Sequence, residues 1–216
     1  MAYSGQILEN PVSGERFVFH LTSGDTGGEV LAFDLEVTPD GHIPGAHLHP
    51  TQEERFEVMR GAMKFRKGFR IVEAGPGDTV VVPPGTAHRF ANAGPEPAVV
   101  RVEVRPALNM EHLYETTVAL AREGRTFRSG LPRPLDLALF MQEFEAEVGA
   151  PFAPGLVRAV TAPLAWLAAR RGLDDRYAGL RAERGARAPA PTRPGEGRAA
   201  EARSARPPAR GDRTRP

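Results

Sequence analysis

Between Arg16 and Arg105 the chain alternates apolar and polar residues in short runs, each closed by glycine, proline or asparagine. Phe17, Phe19 and Leu21 alternate with Arg16, Val18 and His20; Leu31, Phe33, Leu35 and Val37 alternate with Ala32, Asp34 and Glu36; Val100, Val102 and Val104 alternate with Arg101, Glu103 and Arg105. Successive side chains on a strand point to opposite faces, so each run reads as a strand with one buried face. Turn residues divide the runs: Gly61 before Met63 and Phe65, Lys67 and Gly68 within a hairpin over 64–72, Gly75 to Asp78 before the strand at 79–82, and Pro83, Pro84 and Gly85 after it. About eight short strands of this kind restrict the first half of the chain to an antiparallel sandwich or barrel.

The same parity sorts the polar residues. In the run GHIPGAHLHPTQEERFEVMRG, from Gly41 to Gly61, His47 and His49 are one residue apart and so share a face. On the strand that follows, Glu54 shares the face of Phe56 and Val58, whereas Glu53 goes with Arg55 toward solvent. His88 shares the face of Phe90 and Asn92. Three histidines and one glutamate can therefore converge inside a barrel. Imidazole with carboxylate is a ligand set for a divalent transition metal. His20, His42 and His112 lie on an exposed strand face, a loop and a helix face, and Asn92 ends its strand and is read as a turn former.

These residues carry a family resemblance. Gly41, His47, His49, Glu54 and Gly61, followed by Gly77, Pro83, Gly85, His88 and Asn92, stand in the order and spacing of the two cupin motifs, and the chain resembles a cupin over roughly Phe17 to Pro106. The resemblance implies a mainly β fold, an antiparallel β-barrel of the jelly-roll type. It also implies one bound metal held by His47, His49, Glu54 and His88. Three neutral imidazoles and a carboxylate suit Fe, Mn, Ni, Co, Cu or Zn as divalent ions, and an octahedral arrangement leaves two adjacent positions open.

Beyond Pro106 the period lengthens to three and four residues. Met110, Leu113, Tyr114, Thr117, Val118 and Ala121 predict a helix capped by Asn109 and ending near Gly124. A second helix is expected from Pro134 to a stop at Gly149, and a third from about Gly155 to Arg171 with a kink near Pro163. With no sizeable core of their own, these helices are expected to pack on the outside of the barrel or on a partner subunit, either as a lid or dimer arm or as a cover for a sheet edge or face. From Ala182 to Pro216 nine arginines face four acids, and no side chain larger than Ala among the aliphatics, and no aromatic, occurs after Leu180. Such a segment is expected to be disordered. The expected organisation is a barrel at 1–107, a helical extension at 108–181 and a tail at 182–216.

Cysteine is absent, which excludes disulfides, thiolate ligands and a cysteine nucleophile. The arginines of the tail are interrupted by acids and carry no interleaved aromatic residues, so no nucleic-acid partner is expected. The start lacks a basic and then apolar leader, and 153–169 is too short and too often interrupted to span a bilayer; a cytoplasmic protein with no membrane span is expected. Phe56, Val58, Met63, Phe65, Val81 and Phe90 are the expected inward, apolar pocket wall, favouring an aromatic or polyketide-like substrate. The leading reading is a metal-dependent oxidoreductase of the dioxygenase kind, resembling quercetinase-like cupins, with Glu54 as ligand and proton acceptor. Alternatives are a non-redox isomerase, cyclase or decarboxylase, and a sensing or binding module without catalysis; a homodimer is expected.

Overall fold

The structure is a computed structural model that describes residues 2–39, 41–43 and 45–187. Among the described residues nine strands form two antiparallel sheets. They are β1 Ile7–Asn10, β2 Glu15–Leu21, β3 Leu31–Val37, β4 Glu53–Arg60, β5 Met63–Lys67, β6 Arg70–Ala74, β7 Thr79–Val82, β8 His88–Asn92 and β9 Ala98–Arg105. The larger sheet runs β1-β2-β3-β9-β4-β7 and the smaller β6-β5-β8. The short strand β1 is one that the alternation pattern does not reveal.

Cross-strand register shows which side chains share the inner face, because residues opposite one another in an antiparallel pair point the same way. One row joins Leu31, Val104, Glu54 and Val82; the next joins Phe19, Phe33, Val102, Phe56 and Val80; a third joins Leu8, Phe17, Leu35, Val100 and Val58. Every member of these rows is buried. Leu21 departs from expectation at 45% exposed. A register shift between Phe19 and Leu21 inserts a residue and turns the end of β2 outward.

Two of the turns show why their residues are needed. Gly61 has φ of +80°, and a Cβ there would lie 2.7 Å from the Ala98 Cα, so both the backbone conformation and the close approach of β9 demand glycine. Asn92 staples the turn after β8: its Nδ2 donates to the carbonyls of Val37 (2.9 Å) and Glu96 (2.8 Å), and its Oδ1 accepts from the Gly94 N–H (2.7 Å). The turn-forming role expected of it is what the structure shows.

Four helices follow: α1 Met110–Arg122, α2 Pro134–Glu143, α3 Pro154–Ala169 and α4 Ala178–Arg187. The expected outside packing is corrected for α1. The ring of Tyr114 lies 4.8 Å from that of Phe17 and 5.2 Å from that of Phe33, both on the inner face, so α1 covers the concave side of the larger sheet. Asn109 precedes α1 without capping it through its side chain, which donates instead to Glu147 Oε1 at 2.8 Å. The second helix stops at Glu143, six residues before the glycine expected to end it. Pro163 stands inside α3 as expected. Phe140, Phe144 and Tyr177 form a small aromatic cluster, with Phe144 4.9 Å from Phe140 and 6.1 Å from Tyr177, so the helical segment has a core that its sequence pattern understates.

Met1–Tyr177 forms one compact unit and Ala178 opens a second. Helix α4 runs from Ala178 to Arg187, into the segment expected to be the tail, and the remainder of that segment lies outside the described residues. No helix among the described residues is long and apolar enough to cross a membrane.

Candidate metal centre

The candidate ligands arrive on three pieces of backbone. His47 and His88 face one another as a bridge outside the regular ladder: His47 N–H donates to the His88 carbonyl (3.0 Å) and His88 N–H to the His47 carbonyl (2.8 Å). Opposed residues share a face, and the two rings lie 4.4 Å apart. His49 follows two residues later, its carbonyl accepting from Gly85 N–H at 2.7 Å, in the turn that leads into His88. Glu54 enters from β4, buried at 4%, while Glu53 is exposed, as strand parity requires. One ligand atom from each of His47, His49, Glu54 and His88 lies within 4.8 Å of all the others.

The hydrogen bonds around the rings decide what they offer. Nδ1 of His47 donates to the Gly45 carbonyl (3.3 Å), Nδ1 of His88 to the Thr86 carbonyl (3.1 Å), and Nδ1 of His49 to the Glu147 carbonyl. A neutral imidazole that donates through Nδ1 presents a lone pair at Nε2. Glu54 Oε2 lies 3.3 Å from His49 Nε2 and 2.8 Å from His88 Nε2, and all three atoms are buried without a hydrogen-bond partner. Lone pairs of this kind converging in a dry interior form an arrangement that a cation could satisfy. The donor set, nitrogen with one carboxylate oxygen, fits a divalent first-row transition metal.

Electrostatics follow from the same packing. Burial alone would raise the Glu54 carboxyl, but His49 and His88 more than offset it and hold the group well below the usual carboxylate range. Burial lowers His47 to about 3, with the neighbouring rings of His88 and His49 adding to the effect. His49 moves the other way, raised by Glu54 against its own burial.

Of the expected pocket residues, Phe56, Phe65 and Phe90 pack ring to ring at 5.2, 5.3 and 5.9 Å, and Val58 and Met63 are fully buried. Phe56 and Phe90 lie one inner-face position along their strands from Glu54 and His88, so they floor the ligand cluster. Val81 is corrected. It pairs with Arg55 and takes the outer face, while Val80 and Val82, opposite Phe56 and Glu54, point inward. A strand of one threonine and three valines has no polar alternation from which to read its parity. His20, 42% exposed, pairs with Asp34 at 2.8 Å, and it stands outside the cluster, as do His42 and His112.

Two residues at the centre escape sequence reasoning. Tyr114 is visible as part of an apolar helix face, but nothing local says that this face meets the inside of the sheet. Burial, with Glu54 and Glu15 nearby, pushes its phenol well above its usual 10, so it remains a neutral hydrogen-bond donor. Glu147 contacts His49 from 98 residues away, with no local pattern to announce it.

Residues 33–104 match the family model described as a cupin domain. No curated protein matches the chain. Among solved structures the chain is similar to an uncharacterized conserved protein with a double-stranded β-helix domain from Klebsiella pneumoniae, at 20% identity and a TM-score of 0.38, covering 50% of this chain and 83% of that one. It is also similar to KdgF from Halomonas sp. (17%, TM-score 0.41, 46% and 84% covered) and to a predicted oxalate decarboxylase from Thermotoga maritima (16%, TM-score 0.42, 49% and 98% covered). The stretch of residues 33–104 that is similar to a cupin domain takes in all four members of the ligand cluster.

Proposed function

We propose that this chain is a metal-dependent enzyme acting on a small oxygenated molecule of aromatic or polyketide-like character, and that its reaction is a dioxygenation. The observation that carries the metal is the meeting of two histidine lone pairs and a carboxylate oxygen, all buried and none hydrogen-bonded. One divalent ion would be held by His47, His49, Glu54 and His88, supplying Lewis acidity and, where redox-active, electrons for oxygen chemistry. Around it the chain's own groups have distinct tasks. Glu54 is the single carboxylate of the set and is placed to take a proton from a substrate hydroxyl. The phenylalanine floor keeps water from the inner side of the cluster, and His47, the least buried of the four, marks the side from which substrate enters. The inner-face rows of the larger sheet are apolar apart from Glu54, which supports an aromatic rather than a sugar-like substrate. The barrel at 1–107 is then the catalytic domain and the helical segment at 108–181 its cover.

The chain is also proposed to form a homodimer through α3. Leu156, Val160 and Trp166 are 63%, 56% and 60% exposed on that helix, while Ala165 and Ala168 are buried on its other side. A helix that is apolar all round is covered on both sides. Arg158 is the only charged residue of 154–169, and the Thr161 hydroxyl is used within the helix on the Val157 carbonyl, which leaves the outer face suited to a second copy of itself.

The test begins with metal analysis of protein purified without added ions. His47→Ala should abolish metal retention and leave the barrel folded, and His20→Ala should retain the metal. Loaded with Fe(II) or Ni(II) and offered flavonols and catechols, the enzyme should consume oxygen. Turnover under nitrogen with Zn(II) would replace the dioxygenase by a non-redox isomerase, cyclase or decarboxylase, and tight metal binding without any turnover would make the protein a binding module.

A further inference from the structure

The three histidines differ in how their Nδ1 protons are held. His47 and His88 use carbonyls two residues away, Gly45 and Thr86, which belong to their own turns. His49 uses the carbonyl of Glu147, which follows α2. The backbone there is tied on both sides. Leu48 N–H donates to the Gly149 carbonyl (3.0 Å) and Gly149 N–H to the Leu48 carbonyl (2.8 Å), an isolated antiparallel bridge that ties the segment to the motif next to His49. A Cβ at Gly149 would already sit 3.1 Å from Leu48 Cδ1. The Glu147 side chain is fully buried, and its Oε1 accepts from both the backbone N–H (3.2 Å) and Nδ2 (2.8 Å) of Asn109, at the start of α1.

We propose that Glu147 is a positioning residue of the metal centre: its carbonyl fixes the tautomer and orientation of His49, and its carboxylate, anchored on Asn109, fixes the carbonyl. This rests on the metal reading above. A buried carboxylate is costly unless its hydrogen bonds repay the lost hydration, and here those bonds join the ends of two helices to a metal ligand. The helical extension is thereby part of the metal site, since the proton that decides which nitrogen His49 offers is held by residue 147.

The test is a Co(II) titration of the full-length protein, read by visible absorption and by competition with a chelator, with circular dichroism to verify folding. Wild type should bind Co(II) with an absorption spectrum that His49→Ala changes. Glu147→Ala should weaken Co(II) by about 10- to 100-fold and shift the spectrum, as loss of an outer hydrogen-bond partner does. Glu147→Gln, which keeps an acceptor oxygen for Asn109, should restore most of the affinity. Asn109→Ala removes the Nδ2 contact alone and should weaken binding by a smaller factor; it decides the matter if Glu147→Ala does not fold. Absence of Co(II) binding by wild type would overturn the metal reading itself. Wild-type binding with unchanged affinity and spectrum in the folded variants would overturn the positioning role and leave the metal reading standing.

Discussion

Replacing Phe56 by alanine separates two roles that its position allows, wall of an open substrate chamber or packed floor of the ligand cluster. The ring is 1% exposed and touches Phe65 at 5.2 Å, Phe90 at 5.3 Å and, more distantly, His88 at 6.4 Å. A buried aromatic ring removes about 150–250 Å² from water, which at about 25 cal/mol per Å² bounds the transfer contribution at roughly 4–6 kcal/mol. Measured truncations of buried Phe to Ala cost about 3–5 kcal/mol. We therefore expect Phe56→Ala to lose about 3–5 kcal/mol in urea unfolding of metal-free protein, a large part of the roughly 5–15 kcal/mol that holds a typical domain. The midpoint of thermal unfolding should fall by roughly 6–20 °C, at about 2–4 °C per kcal/mol for a chain of this size. Phe56→Leu, which refills much of the space, should cost less than half as much. A loss below about 1 kcal/mol for Phe56→Ala would mean that the ring faces a ligand-sized space, and the packed-floor reasoning would fail.

Glu15 supplies a pH dependence. Burial pushes its carboxyl from 4.5 to about 7, against the pull of the Ser13 hydroxyl and of His42, so the folded state holds a proton that the unfolded chain releases. The contribution of Glu15 to stability is then full below pH 4.5, falls as pH rises toward about 7, and levels off above; at about 1.4 kcal/mol per pH unit the loss is about 3 kcal/mol. Glu15→Gln should lack this loss in urea melts at pH 5 and pH 8, and identical pH slopes in the two proteins would refute it. On β7 the face assignment predicts opposite outcomes for neighbours: Val81→Lys should stay within about 0.5 kcal/mol of wild type and Val80→Lys should cost about 3 kcal/mol or more, read by urea midpoints. Leu156→Glu with Val160→Glu should convert a dimer to a monomer in light scattering without altering circular dichroism; a monomeric wild type at micromolar concentration would remove the α3 interface.

What could be read from the letters was local. Strand parity separates Glu54 from Glu53 because alternation is a property of the backbone itself, and the buried and exposed positions of those two residues agree with it. The hairpin at Gly68, the turn at Gly61 and the stapling by Asn92 rest on equally local chemistry, a φ that glycine tolerates or a side chain that reaches its own turn. The spacing of His47, His49, Glu54 and His88 likewise states which residues can share a face. Val81 shows where this stops: with no polar residue to mark a face, only pairing with β4 assigns one. Helix α1 shows it on a larger scale. Periodicity places Tyr114 on the apolar side of a helix, but the rings of Phe17 and Phe33 that receive it lie 97 and 81 residues earlier, so tertiary packing alone sends it to the inner face. The contact of Glu147 with His49 is of the same kind, a hydrogen bond to a backbone carbonyl that any residue type carries. The sequence by itself therefore determined the strands other than β1, most of their turns and the candidate ligand types. The tertiary structure alone decided what covers the sheet and what orients the candidate ligands, because those interactions join distant segments through groups that leave no mark in the local pattern.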